Sequence, residues 1–229
     1  IGRSVALTLA SAGAVVGVHY NSSQAEAEET LAEIKQGGGT GLLLRADLTD
    51  EAQANDVVDR YAAHAGRLDI LVNNAGIFRT KPFTDFTTED FDALISTNLL
   101  GFFYITQRTV KEMLKQKSGC VVSITAALAD RPIAGENGSI SMITKGGLNS
   151  ATKNLAIELA PHGIRVNAVA LAFVETPAYE RFMTAEQARE VLDSVQAFHP
   201  LGRHGVPSDV VDALLFYAGD RSRWITGTT

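Results

Sequence analysis

Ser141 and Lys145 stand four residues apart in Gly138-Ser-Ile-Ser-Met-Ile-Thr-Lys-Gly-Gly-Leu148. At helical spacing that separation puts a hydroxyl and an ammonium on one face, one turn from each other. A cation beside a hydroxyl favours its ionised form, which is what a site needs in order to move a proton to or from an oxygen. A solvated lysine beside a helix serine is the bland alternative. Two turns carry further interest. Asn74-Ala75-Gly76 follows an apolar run and suits a close backbone approach, though Asn-Gly sequences also make ordinary turns. Asp47-Leu48 follows another apolar run, though Asp-Leu-Thr-Asp also caps a following helix. Glu136 reads as a solvated loop charge. His199 and His204 have no evident partner. No Cys/His cluster suggests a metal.

The elements that must hold these residues alternate. Apolar runs predict strands at 14–20, 41–46, 68–73, 120–125 and 164–170. Helical periodicity predicts helices at 3–13, 22–35, 51–65, 88–117, 138–160 and 209–218, with further helical pattern in 173–199 and an extended piece from Gly227. In the helix of 138–160, Leu148, Ala151, Leu155 and Leu159 form the buried stripe. Strands and helices that alternate in this way argue for an α/β protein: a doubly wound parallel sheet covered on both faces, in one domain over 1–229. Ligand then sits at the carboxyl ends of the strands.

Composition sets outer bounds. The chain has 229 residues, 45% hydrophobic and 20% charged, with a formal net charge of −6. That excludes a disordered chain and argues against a nucleic-acid partner. No apolar run reaches the roughly 18 residues of a membrane span. The one cysteine, Cys120, sits in an apolar run, reads as a buried strand residue and fits a reducing cytoplasm. Residues 1–13 superficially suit a secretory signal, but Val5, Leu9 and Ala12 are spaced as on a packed helix.

Taken together, the 138–160 segment, Asn73-Asn-Ala-Gly76 ahead of it and Gly163-Ile-Arg-Val-Asn-Ala-Val-Ala170 after it resemble the short-chain dehydrogenase/reductase family along essentially the whole chain. The ketoreductase branch, which includes 3-oxoacyl carrier-protein reductases, is the most similar. The resemblance implies a Rossmann-type fold, a nicotinamide cofactor, a small carbonyl or alcohol substrate and a homotetramer through the 88–117 and 138–160 helices. It implies that Gly2, Asp47, Leu48, Asn74, Ala75, Gly76, Asn98, Lys145, Val174 and Thr176 serve the cofactor. It gives Asn98 a role in holding its helix open and supporting water near the lysine. It makes 173–205 the substrate lid, with Phe173, Tyr179, Phe182, Met183, Leu192 and Phe198 offering an apolar pocket. It also implies a strand and glycine turn ahead of Ile1 and a last strand running past Thr229.

Three positions depart from the family pattern. The family tyrosine falls on Ser141, the family serine on Ala126 with Thr125 beside it, and the Pro-Gly after the fifth strand on Leu171-Ala172. An aliphatic hydroxyl is a far weaker acid than a phenol with a pKa near ~10. The chemistry is therefore expected to be impaired or altered, with Asn98, Thr125, Ser141 and Lys145 as the candidate catalytic set. A catalytically inactive protein of that fold, serving as a cofactor-binding or structural subunit, is the alternative. Cofactor choice turns on Tyr20, Asn21, Ser22 and Ser23 after the first strand. An acid there would select NAD through the ribose 2′-hydroxyl; its absence points to NADP, with NAD possible.

Overall fold

The computed structural model describes residues 1–177, 179 and 183–229. Among the described residues five parallel strands are present: β1 (Val15–Tyr20), β2 (Thr40–Arg45), β3 (Ile70–Asn73), β4 (Gly119–Ala126) and β5 (Ile164–Leu171). They form two sheets, β1-β2 and β3-β4-β5, with no ladder between them. In register, Tyr20 lies beside Arg45 at the ends of β1 and β2, and Thr125 beside Ala170 at the ends of β4 and β5. Past Thr226 the chain lies along β5, with Gly227 N donating to Val166 O at 2.8 Å and Ala168 N donating to Thr228 O at 2.9 Å.

The described residues also form eight α-helices: α1 (Gly2–Ser11), α2 (Gln24–Gln36), α3 (Glu51–Ala65), α4 (Thr88–Ile95), α5 (Gly101–Gln116), α6 (Ser139–Leu159), α7 (Ala185–Ser194) and α8 (Pro207–Ala218). Their ends follow local chemistry. Asp50 accepts from Ala52 N and Gln53 N at the start of α3, and Thr87 with Asp90 closes a capping box on α4. Gly66 ends α3 at φ 75°, a left-handed conformation glycine adopts without a Cβ penalty.

Burial puts α3, α5 and α6 on one side of the strands, where Val57, Met113 and Leu159 pack with Leu44, Val121 and Val166. On the other side Val5 of α1 and Val210 and Leu214 of α8 pack on Cys120, Val122 and Ile124. Helix α1 also packs Ala6 and Ala10 onto Val16 and Val18 of β1, so one helix belongs to the cores of both sheets. The inner face of α1 is therefore Val5, Ala6 and Ala10; Ala12, expected there from its spacing, is exposed. The helix expected over 88–117 is interrupted. Residues Ser96–Leu100 form one wide π turn between α4 and α5, a feature that periodicity does not reveal because one extra residue leaves the apolar stripes on both sides intact.

Candidate functional site

The wide turn presents Asn98, which is 2% exposed. Its Oδ1 accepts from Ile77 N at 2.8 Å, while its Nδ2 donates to Ile77 O at 2.9 Å and to Thr144 Oγ1 at 3.0 Å. An amide that closes both backbone groups of Ile77 fixes the chain that leaves the Asn74-Ala75-Gly76 turn. Thr144 belongs to α6, so Asn98 ties that turn to the helix carrying Lys145. This is the setting in which π turns concentrate at functional positions.

Lys145 lies inside the protein. Its Nζ donates to Ile124 O at 2.9 Å near the end of β4. Burial lowers its pKa to about 8, since a desolvated ammonium loses hydration that one carbonyl only partly replaces. Gly76 completes the cluster. A Cβ built there would stand 3.1 Å from Asn98 Oδ1 and 3.6 Å from Lys145 Nζ. Thr125 ends the same strand that Lys145 bonds to. Its Oγ1 is buried and has no hydrogen-bond partner among the described residues. Because buried hydroxyls are ordinarily paired, that oxygen is a donor and acceptor held ready. The cradle at Gly76 and the bare hydroxyl at Thr125 together fit a group seated between Lys145 and the strand ends, as a nicotinamide cofactor and its substrate would be.

Ser141 has no exposed surface. Its hydroxyl donates to Arg79 O at 2.9 Å and accepts from Arg79 N at 3.0 Å. In this conformation it fastens the 77–79 segment to α6, and the residue has the hydrogen bonds of a structural clasp. Sequence spacing brings it to the same helix face as Lys145; the neighbouring backbone that takes up its hydroxyl is 62 residues away and leaves no local signal.

The nucleotide end lies at the tips of β1 and β2. Asn21 and Ser22 are exposed and Ser23 half-buried. Ser23 occupies the N-cap of α2, yet its hydroxyl makes no capping bond. Tyr20 O accepts from Ala46 N at 3.1 Å, and His19 Nε2 lies 3.0 Å from Ala46 O. Sequence reasoning missed Arg45. It is exposed beside Tyr20, with no ion pair among the described residues. Reading β2 in register with β1, rather than alone, is what brings it into view.

The remaining candidates divide. Gly2 meets Asn74: a Cβ on Gly2 would stand 2.9 Å from Asn74 Nδ2, so the start of α1 abuts the glycine turn. Asp47 shapes its own turn by accepting from Thr49 N at 2.9 Å and Thr49 Oγ1 at 2.7 Å. Leu48 packs against the core and against Gly101 at the start of α5. Ala75 is exposed. Val174 is buried and bridges Gly205, which closes the base of the 173–205 segment; Thr176 follows, its carbonyl accepting from Tyr179 N at 3.4 Å.

In the lid itself the expected pocket changes. Leu192 is buried within α7, Phe198 is 56% exposed, and Phe182 lies outside the described residues. Phe173 packs edge-on against His199. A cavity of about 170 Å³ is lined by Val169–Val174, His199, Gly205, Asp209 and Val210. His204 is not partnerless: its Nε2 lies 3.5 Å from Glu175 Oε2. Glu136 differs too, because its Oε1 is buried.

Comparison with known proteins agrees with this geometry. The family model described as Enoyl-(Acyl carrier protein) reductase matches residues 1–229. The chain is 34% identical over 230 residues to a 3-oxoacyl-[acyl-carrier-protein] reductase FabG of Staphylococcus aureus, covering 100% of this chain and 90% of the relative. It is 37% identical over 228 residues to the FabG of Thermotoga maritima, covering 99% and 89%. Among solved structures, a short-chain type dehydrogenase/reductase from Mycobacterium marinum superposes with a TM-score of 0.88 at 30% identity, covering 99% of this chain and 86% of that one. A short-chain dehydrogenase/reductase of Serratia marcescens gives 0.89 at 28%, covering 99% and 89%. With the lysine, asparagine and glycine turn gathered at the strand ends and the likeness running the length of the chain, this protein belongs to the short-chain dehydrogenase/reductase family of oxidoreductases.

Proposed function

We propose that the protein uses NADP(H) to interconvert a small carbonyl compound and its secondary alcohol in the reducing cytoplasm, as a homotetramer. The observation that carries this reading is the cluster of Lys145 Nζ, Gly76 and Asn98, in which a Cβ on Gly76 would stand 3.1 Å from Asn98 Oδ1 and 3.6 Å from Lys145 Nζ. Gly2, Asp47, Leu48, Asn74, Ala75, Gly76, Val174 and Thr176 would hold the cofactor, with Tyr20, Asn21, Ser22 and Ser23 at its adenosine end. When bound, it supplies or accepts a hydride.

The protein's own groups do the rest. Lys145 offers a buried cation to hydroxyl oxygens of the bound molecule, and Asn98 keeps the Gly76 turn and α6 in fixed relation. Thr125 supplies the hydroxyl that hydrogen-bonds a developing alkoxide; losing such a donor costs about 10²–10³-fold elsewhere. Ser141 holds the wall. Without a phenol beside Lys145, turnover is slower than that chemistry allows, by up to about 10²–10⁴-fold. A second reading, a cofactor-binding protein without turnover, is favoured by one observation: both hydrogen-bonding directions of the Ser141 hydroxyl are engaged by backbone.

NADP over NAD rests on the absence of a carboxylate at Tyr20–Ser23 and on Arg45, a cation free to meet a 2′-phosphate. Fluorescence titration with NADPH and NADH tests both. Removing Arg45 as Arg45→Ala should weaken NADPH by about tenfold, a single charge-assisted hydrogen bond, and leave NADH unchanged. Tighter NADH binding by the parent ends the NADP assignment. NADPH oxidation with a panel of small ketones, in the parent and in Lys145→Ala, tests the chemistry. The rate should collapse in the variant, and an unchanged rate refutes the site.

A further inference from the structure

Glu136 precedes the Gly138 N-cap of α6 by two residues. Loop carboxylates normally face water. This one turns inward: its Oε1 is buried and has no hydrogen-bond partner among the described residues. A Cβ built on Gly138 would stand 3.2 Å from that oxygen and 3.1 Å from Phe78 Cζ. The carboxyl, the first turn of α6 and the Phe78 ring are thus packed together. Burial raises the carboxyl's pKa. Tyr179, from the lid, has its phenol pushed up by burial and secondarily by the charge of Glu136, so the two groups are neighbours. Among the described residues no ion pair engages the Glu136 carboxyl. A carboxylate with one oxygen buried and unpaired is disfavoured, and protonation or a hydrogen-bonding ligand relieves that cost.

The placement of this carboxyl relative to Lys145 follows from one short segment. Gly76 lies against Lys145 Nζ, and Phe78, two residues on, lies against Gly138 and Glu136. Two residues of extended chain span about 7 Å. Arg79, next in line, is clasped by Ser141, which pins the segment along the first turns of α6. Residues 76–79 therefore form a wall with the ammonium at one end and the carboxyl near the other. Position 141, where the family tyrosine would stand, lies along this wall on Arg79, and Lys81 N donates to Asn137 O at 2.9 Å at its far end, beside Glu136.

We propose that Glu136 is the catalytic acid and base of this site, giving its proton to the oxygen of a carbonyl substrate and recovering one from the alcohol in reverse. The inference rests on the hydride-transfer reading above. In the reducing direction the carbonyl carbon gains a hydride from a dihydronicotinamide, the carbon–oxygen π pair moves onto oxygen, and that oxygen takes the proton of Glu136. The resulting carboxylate is reprotonated from solvent.

The test compares the parent with Glu136→Gln, a substitution that keeps the shape of the side chain. NADPH dissociation constants are measured by fluorescence, NADPH oxidation with a ketone panel is followed from mildly acidic to mildly basic pH, and the carboxyl is titrated by ¹³C NMR in the cofactor-free protein. The two proteins should bind NADPH alike. The parent's kcat should fall as pH rises through the Glu136 pKa, and the variant should lose about 10²-fold or more with that limb gone. A variant within about threefold of the parent, well inside the range for general acid catalysis, overturns the assignment, as does an ordinary carboxylate titration. A parent that binds NADPH but reduces no ketone overturns the assignment and leaves the cofactor reading standing. A parent that binds no NADPH overturns both.

Discussion

At the scale of residues, the site is a set of polar side chains that close backbone groups far away in sequence. Asn98 closes Ile77, Lys145 closes Ile124, and Ser141 closes Arg79. Each is therefore as much a structural tie as a chemical group. Ser141→Ala removes the partner of both backbone groups of Arg79 at once and leaves a part-buried amide and carbonyl bare. It should destabilise the fold by about 1–3 kcal/mol, read by denaturant unfolding, while a stability equal to the parent's refutes the clasp. Much of the candidate site was legible through the family resemblance that its motifs carry, not through residue types alone: Asn98, Lys145 and the Gly76 turn do meet. Arg45 and the inward turn of Glu136 were not legible. Their importance arises from strand register and from packing against Phe78, which no local pattern encodes. The hydroxyl of Ser141 illustrates the opposite error. Its spacing from Lys145 is right, but the atom it bonds lies in another part of the chain.

At the scale of elements, the wall of residues 76–81 is secured from a second side. Asp90, in the first turn of α4, takes hydrogen bonds from Arg79, from Lys81 Nζ at 2.5 Å and from Thr87 N at 3.2 Å. Those donors, Lys81 first and then the Thr87 amide, hold its carboxyl well below the usual carboxylate range. A carboxyl depressed in the folded state stabilises that state at pH above its unfolded value. The contribution is lost as pH falls from there through the folded value. Asp90→Asn should therefore lower Tm at neutral pH and show a shallower acid dependence than the parent; parallel pH profiles refute the clamp. Element boundaries followed caps and glycines closely, as at Asp50 and Gly66 for α3. The division of the 88–117 helix did not follow from caps or periodicity; only the family resemblance, which has Asn98 holding its helix open, pointed to the turn at Ser96–Leu100.

At the scale of the molecule, alternation of strand and helix was enough to predict the layered α/β arrangement. It could not predict that α1 serves two cores, since that depends on which faces of one ten-residue helix meet β1 and α8. The assembly proposed above draws on apolar side chains left open on α4, the π turn and α5, with Phe91 43%, Leu100 39% and Phe103 51% exposed. Groups of this kind mark contact surfaces more often than free ones. Phe103→Glu should shift the protein to a smaller species by light scattering without unfolding it. An unaltered mass would exclude that face as the contact.

The π turn has one more consequence. Each helical residue advances the side chains by about 100°, so an extra residue at 96–100 sets the angular phase between everything before and everything after it. Leu94 before the turn and Met113 after it are both fully buried. Loss of a single codon within this stretch would swing one half of the rod out of phase with the other, whereas most amino-acid exchanges there would not. Descendants of this gene should accept spelling changes in these five positions far more readily than changes in their number.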